Sequence, residues 1–474
     1  MIPFAKALFF CCFLMKICMG QAQGLPAGDW VGELNLGGAN THQVIFSFRT
    51  SGVGETKVLV SIPSTGMHDL QASNVVMRGD SLLLNIKDHM SHYMYKAFYD
   101  DKSGTIEGVF AVFGSKGGFP LNFKPTDAAS LRPARPQTPQ GPFSYDVLPI
   151  TFAGGDKGIT LKGTITAPKG RRSVPGIVLI SGSGPHNRDG EQFYHKTFMV
   201  LADALTKKGF AVLRYDERGV GESSGNYAGN FTEDFARDAA AAVAALRDYK
   251  KLRIKDVFVV GHSEGTLMAQ IVAAQDPAIA GVVLLAAAGQ TGVEFNKTQY
   301  RATLRAQGKP EAGQELEIFD KCYEIVAASP DSAAAVANLH NWFDELEIEP
   351  RYRAMFINPV MNPWRYHSLH FDPSPFQHKI KAPVLAITGD NDSQTPAEPN
   401  LAAIKAGLRE GGNTNFTGVV LPKVNHFMQT SIKGTYDEPY TLEETLSPEV
   451  LKMMSDWLLN QAQKSGYLKA STQH

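Results

Sequence analysis

Val257-Phe258-Val259-Val260-Gly261-His262-Ser263-Glu264-Gly265-Thr266-Leu267-Met268-Ala269 decides the fold. Four β-favouring apolar residues lead into a G-x-S-x-G turn, and helix formers leave it. A serine on such a strand-turn-helix corner is pushed out at the top of a sheet, with its hydroxyl exposed and a helix start behind it. Gly261 and Gly265 stand where close helix–strand packing forbids a side chain. In a chain with 44 glycines the pattern arises readily by chance, so the surroundings must supply its partners.

Strands and helices alternate on both sides of this corner. Gly176-Ile177-Val178-Leu179-Ile180, Phe210-Ala211-Val212-Leu213-Arg214-Tyr215, Gly281-Val282-Val283-Leu284-Leu285-Ala286, Pro383-Val384-Leu385-Ala386-Ile387-Thr388 and Thr417-Gly418-Val419-Val420-Leu421 are apolar runs suited to strands covered on both faces. Ile159 to Thr166 adds another strand. Helical spacing runs through Phe198, Leu201 and Leu205 to a stop at Lys208-Gly209. A second helix passes through the alanines up to Asp248, with Asn230 or Thr232 as its cap and Glu233 and Asp234 in its first turn. The last helix spans about Pro448 to Gln461. Such alternation predicts an α/β fold: a mostly parallel sheet with helices on both faces. Between about residues 289 and 381 it stops. That stretch is helical and polar and is expected to form a lid over the carboxyl edge of the sheet, the alternative being a remote buttress.

The order nucleophile, acid, base then finds candidates. Past a late strand lies Gly389-Asp390-Asn391-Asp392. Asp390 is nearer the strand and suits a turn-holding role; Asp392 lies deeper, within reach of an imidazole. Past the last strand, Val424-Asn425-His426-Phe427 provides His426. His340, His367, His370 and His378 all lie in the insertion. A serine hydroxyl is a weak nucleophile and requires such a base, itself oriented by an acid. An oxyanion would be met by the backbone N–H of Glu264 and by one from the glycine-rich loop Ser181-Gly182-Ser183-Gly184-Pro185, with Ser183 preferred and Gly182 next. Asp216 and Arg218, after another strand, read as braces for loops near the site.

These motifs make residues Tyr145 to Leu468 similar to α/β-hydrolase-fold serine hydrolases, in particular the exported bacterial group described as serine aminopeptidase-like or dienelactone-hydrolase-like. The resemblance rests on S-G-S-G-P-x-x-R-D-G at Ser181 to Gly190, Y-D-x-R-G-x-G-x-S at Tyr215 to Ser223, and G-H-S-E-G at Gly261 to Gly265. It implies esterase action on small acyl esters and matches the acid to the second aspartate of G-D-x-D, Asp392. His186-Asn187 and Thr266 depart from the group's pattern and are expected to alter the pocket. A peptidase using Ser263, His426 and Asp392 is the alternative; an inactive binding protein would not need all three.

Ahead of this region, residues 25–125 read as a small all-β, barrel-like domain. Short alternating runs are separated by Gly, Asn, Asp and Ser. Its period-two aromatics read as core rather than as a sugar platform, and His68, His89 and His92 as exposed rather than ligating. A proline-rich linker follows at 126–144, then the catalytic domain at 145–474. Residues 1–22 read as a signal peptide: Lys6 precedes an apolar run too short to span a bilayer, and small residues Gly20 and Ala22 follow. Export without a stable membrane anchor is therefore expected. Only Cys322 would remain of the four cysteines, read as an inert helix residue, so neither a disulfide nor a cysteine metal site is expected. A net charge of −1 gives no footprint for nucleic acid. No metal or cofactor is called for; the expected partner is a small acyl ester or a short peptide.

Overall fold

Alternating side chains become a buried and an exposed face once strands pair. The computed structural model describes residues 27–36, 41–50, 56–65, 67–87, 92–112 and 117–464; the expected signal peptide and His89 lie outside them. The chain divides into two compact units, residues 1–61 with 69–128, and residues 62–68 with 129–474.

The first nine strands are β1 (Gly28–Asn35), β2 (Thr41–Thr50), β3 (Thr56–Ile62), β4 (Met67–Gln71), β5 (Asn74–Arg78), β6 (Ser81–Lys87), β7 (His92–Asp100), β8 (Thr105–Val112) and β9 (Phe119–Thr126). They form one curled sheet in the order β4-β3-β2-β1-β9-β8-β7-β6-β5. Its two edge strands are consecutive in the chain. Ala72 N–H donates to Val58 of β3 (2.8 Å) and Ser73 N–H to Asn85 of β6 (2.8 Å), so the bend between β4 and β5 bridges the two edges. The period-two aromatics are the core of this sheet. Phe46 and Phe123 stack at 4.2 Å, Tyr95 meets them edge-on, and its buried hydroxyl donates to the Leu121 carbonyl at 2.8 Å.

In the second unit, β10 (Asp146–Ala153), β11 (Thr160–Ala167) and β12 (Ser173–Ile180) are followed by a two-residue ribbon, β13 (Glu191–Gln192) with β14 (His195–Lys196). Then come α1 (Thr197–Lys207), β15 (Ala211–Tyr215), α2 (Thr232–Arg247), β16 (Arg253–His262), α3 (Gly265–Gln275) and β17 (Ile279–Leu285). The insertion holds α4 (Gly292–Ala306), α5 (Gln314–Ala328), α6 (Ser332–Glu345), α7 (Pro350–Met361), α8 (Pro363–His370) and α9 (Ser374–Gln377). β18 (Val384–Gly389), α10 (Ala397–Glu410), β19 (Phe416–Leu421) and α11 (Pro448–Lys464) complete the unit. The sheet order is β10-β11-β15-β12-β16-β17-β18-β19, with β11 antiparallel to both neighbours and the strands from β15 to β19 parallel.

The continuous apolar strands serve two cores at once. Val178 and Ile180 pack with Phe235, Ala239 and Met268 on the α2–α3 face; Ile177 and Leu179, one residue out of phase, pack with Phe198, Leu201 and Leu458 on the α1–α11 face. The insertion has a third core of its own, built on Cys322, Val326, Leu339, Phe343 and Val360. Cys322 is fully buried there, and burial pushes its thiol up to about 12.

The structure adds two details and changes one expectation. β10 was not anticipated; it is an edge strand whose residues are alternately half-buried and exposed, and it carries Pro149, which only an edge tolerates. The later part of the proline-rich stretch, read as a linker, is anchored by side-chain bonds. Arg135 donates to the carbonyls of Phe193 (2.8 Å) and Tyr440 (2.9 Å), and the Gln137 amide brackets Thr445 and Leu446. Neither Asn230 nor Thr232 caps α2: the Asp234 carboxylate accepts the Phe231 N–H at 2.7 Å instead, while Asn230 and Thr232 are engaged elsewhere.

Arg218 shows how the loops at this end are braced. Its side chain is 3% exposed and donates to Asp238 at 2.7 and 2.9 Å, to Asp156 and Asn230 at 2.8 Å each, and to the Asp234 carbonyl at 3.0 Å. Removing one partner of a buried pair strands the other charge, at a cost of about 3–5 kcal/mol. Arg218→Met is therefore expected to lower the Tm of the second unit by on the order of 10 °C, as read by scanning calorimetry of the whole chain.

Candidate active site

The turn after β16 forces Ser263 into an unusual backbone state. Its φ is +56°, a left-handed conformation that a residue with a Cβ adopts only under constraint. A Cβ on Gly261 would lie 2.2 Å from the Gly265 carbonyl oxygen; one on Gly265 would lie 2.4 Å from the Ile180 and Ser181 oxygens. Both glycines are therefore required by close approach. The turn is pinned from below by Ser263 N–H to the Leu285 carbonyl (2.9 Å). Thr266 adds a second pin. Its hydroxyl donates to the Ser263 carbonyl (2.6 Å) and accepts the Ala288 N–H (3.0 Å). Being fully buried, Thr266 supports the turn rather than altering the pocket, contrary to expectation.

The structure brings Ser263, His426 and Asp392 into one hydrogen-bonded chain. Asp392, at the end of β18, and His426, in the loop after β19, are 4% and 5% exposed. A carboxylate only accepts, so His426 Nδ1–H donates to Asp392 Oδ1 (3.0 Å) and Oδ2 (3.1 Å). That leaves Nε2 to accept the Ser263 hydroxyl at 3.0 Å. Asp392 Oδ1 is further fixed by the N–H groups of Gln394 (2.9 Å) and Thr395 (2.7 Å). Asp390 does not reach the imidazole; it accepts the Lys423 N–H at 2.6 Å and ties the two loops together. His262 packs against His426 at a ring distance of 5.2 Å and donates to its carbonyl at 2.8 Å. Burial holds the His262 imidazole at about 3, so it is neutral.

Gly182 lies beside Ser263: a Cβ there would stand 2.9 Å from that of Ser263. Neither Ser183 nor Glu264 donates its backbone N–H to a hydrogen bond among the described residues; Glu264 follows Ser263, and Ser183 follows Gly182. The glycine-rich loop is anchored by side chains. The Ser181 hydroxyl and His186 N–H donate to Glu217 at 2.9 and 2.8 Å, and Gly184 N–H donates to the Tyr227 hydroxyl at 2.8 Å. Farther along, Arg188 grips Asp216 through Nε (3.1 Å) and Nη2 (2.6 Å), as the bracing expectation required. His340 and His378 have no bond to the Ser263–His426–Asp392 chain; His367 pairs with Glu233 at 3.0 Å and stacks on Phe231.

Three side chains escaped the sequence reading: those of Glu264, Trp364 and Glu217. The carboxylate of Glu264, the residue after Ser263, accepts bonds from Ser183, Thr232 and Trp364. The charge inside G-x-S-x-G was visible; its partners, 81, 32 and 100 residues away, were not. Among the described residues, no cluster of three or more His, Cys, Asp or Glu forms a metal-ligand set.

The chain is similar to several known proteins. The family described as serine aminopeptidase, S33, matches residues 190–318, a span that includes Ser263 but neither Asp392 nor His426. The chain has an α/β-hydrolase fold. A curated relative, esterase EstD of Thermotoga maritima, is 24% identical over 318 residues, covering 67% of this chain and 68% of that protein. Among solved structures, Est1E from Butyrivibrio proteoclasticus, determined with ferulic acid bound, is 17% identical, with a TM-score of 0.42 over 66% of this chain and 99% of that one. The Pyrococcus furiosus esterase Pf2001 is 15% identical, with a TM-score of 0.41 over 67% and 92%. Within this hydrolase the all-β unit precedes the α/β unit.

Glu217 gives a pH signature. It is 3% exposed, and burial pushes its carboxyl up to about 8 from 4.5. A raised carboxyl favours the protonated folded state. Its contribution is thus fully present below about pH 4.5 and lost as pH rises through about 8. Glu217→Gln copies the protonated acid, accepting from His186 and donating to Ser181. Thermal melts of the variant should fall less steeply than wild type between these two pH values, with activity at pH 6 kept within about threefold.

Proposed function

We propose that this hydrolase cleaves carboxylic esters through an acyl-enzyme intermediate on Ser263. The observation that carries the reading is the Asp392–His426–Ser263 hydrogen-bond chain ending on a strained turn. Ser263 Oγ attacks the ester carbonyl carbon as its proton passes to His426 Nε2. The new oxyanion is met by the N–H groups of Glu264 and Ser183, each such donor contributing about 3–4 kcal/mol to the transition state. Collapse expels the alcohol, which takes the proton from Nε2. Water, deprotonated by the same nitrogen, then attacks the acyl group and frees Ser263. Asp392 holds the imidazole in the Nδ1–H tautomer and offsets its charge during transfer. Export is part of the same reading and rests only on the N-terminal apolar run.

The match to a family described as serine aminopeptidase favours a second reading, peptide-bond cleavage by the same groups. Rates on p-nitrophenyl acetate and butyrate against aminoacyl-anilides separate the two. Esters are expected to be turned over faster by at least about tenfold; faster anilide cleavage would select the peptidase. Ser263→Ala should lose at least about 10³-fold in kcat. Asp392→Asn should lose about 10²–10⁴-fold, since the wrong tautomer results. Asp390→Asn, which touches only a loop, should stay within about tenfold; equal losses at the two aspartates would overturn the assignment.

A further inference from the structure

Three parts of the second unit converge on one carboxylate. Glu264 Oε2 accepts the Ser183 hydroxyl at 2.6 Å, from the glycine-rich loop after β12, and the Trp364 Nε1–H at 3.2 Å, from α8 of the insertion. Oε1 accepts the Thr232 hydroxyl at 2.6 Å, from the start of α2. All three donors are neutral. A carboxylate offers about four lone-pair sites and bonds to such donors with charge assistance. Ser183 and Glu264 are also the residues whose backbone N–H groups are assigned to the oxyanion. The side chain of one is thus bonded to that of the other.

The insertion is tied to the site at other points too. Gln299 of α4 donates to the Gln394 carbonyl at 2.8 Å, two residues past Asp392, and His367 of α8 meets Glu233 of α2 at 3.0 Å. These contacts seat the helices. Among the hydrogen bonds of the described residues, only that of Trp364 runs from the insertion to a residue adjoining Ser263. A displacement of α8 would remove one of the three donors from the carboxylate that Ser183 bonds.

We propose that Glu264 is a positioning residue that links the seating of α8 to the placement of the two oxyanion donors, a role that rests on the ester-hydrolase reading above. Donors are most effective when held before the charge develops, so loosening them lowers kcat more than it raises KM. Glutamine can preserve the arrangement: its Oε1 accepts from Ser183 and Trp364, and its Nε2 donates to the Thr232 hydroxyl, which can turn to accept.

The test is a set of variants, Glu264→Ala, Glu264→Gln, Ser183→Ala, Trp364→Phe and the Glu264→Ala/Trp364→Phe double, assayed on p-nitrophenyl butyrate. Rates are taken per active site, counted by fluorophosphonate labelling. Glu264→Ala is expected to lower kcat by roughly 10–100-fold with KM within about threefold, and Glu264→Gln to recover most of it. Ser183→Ala and Trp364→Phe should each lower kcat at least about threefold. The double variant should be no worse than Glu264→Ala, because both substitutions break the same link. The proposal is overturned if Glu264→Ala stays within twofold, if the glutamine variant is as impaired as the alanine, or if the Trp364 and Glu264 effects multiply. Should Glu264→Ala fail to fold, unchanged kcat in both single-donor variants overturns it equally. Wild-type protein that neither labels nor turns over the ester would sink the hydrolase reading and this link together; normal wild-type turnover with unaffected variants would sink the link alone.

Discussion

The left-handed backbone at Ser263 is the constraint on which the site depends. A residue with a Cβ holds such a conformation only when its surroundings over-determine it. Here they do so from several sides. Gly261 and Gly265 let β16, α3 and the end of β12 approach closer than any side chain would allow. The Leu285 carbonyl accepts the Ser263 N–H, and the buried Thr266 hydroxyl donates to the Ser263 carbonyl. With the turn fixed, the Ser263 hydroxyl meets an imidazole that is itself held by Asp392. Each step trades freedom for position, and the strain is borne by sheet packing rather than by the loops that carry His426 and Asp392.

Around this turn, placement is done by carboxylates. Asp392 orients the imidazole, Asp390 ties its loop to that of His426, Glu217 anchors Ser181 and His186, and Glu264 gathers Ser183, Thr232 and Trp364. Most of their partners are backbone N–H groups and hydroxyls, with Arg188 and Arg218 satisfying Asp216 and Asp238 farther out. Buried carboxylates without cations are costly unless their hydrogen bonds are complete. The raised carboxyl of Glu217, with burial as its main cause, shows that cost.

What could be read from the sequence was whatever is local in it. The G-x-S-x-G turn, the apolar strands and the order of Ser263, Asp392 and His426 each lie within a few residues of an element end, where strand periodicity and turn chemistry fix position. The Pro149 edge strand escaped because its half-buried alternation lacks the continuous apolar run that marked its neighbours. Thr232 was misread as a helix cap; it is the first residue of α2, and its hydroxyl donates to Glu264, 32 residues away. Trp364 lay in a run recognised only as aromatic and proline-rich; its bond to Glu264 spans 100 residues. Such long-range partnerships depend on how the insertion packs, through a third core of its own, and no periodicity announces that.

The central claim is that Ser263 accepts the acyl group. Its most direct test is rapid acid quench of the protein turning over p-nitrophenyl butyrate, followed by peptide mass analysis. The account predicts a butyryl group on the peptide containing Ser263, and none on the corresponding peptide of Ser263→Ala. A butyryl group found on another residue, or turnover with no acylated peptide at any quench time, would contradict it.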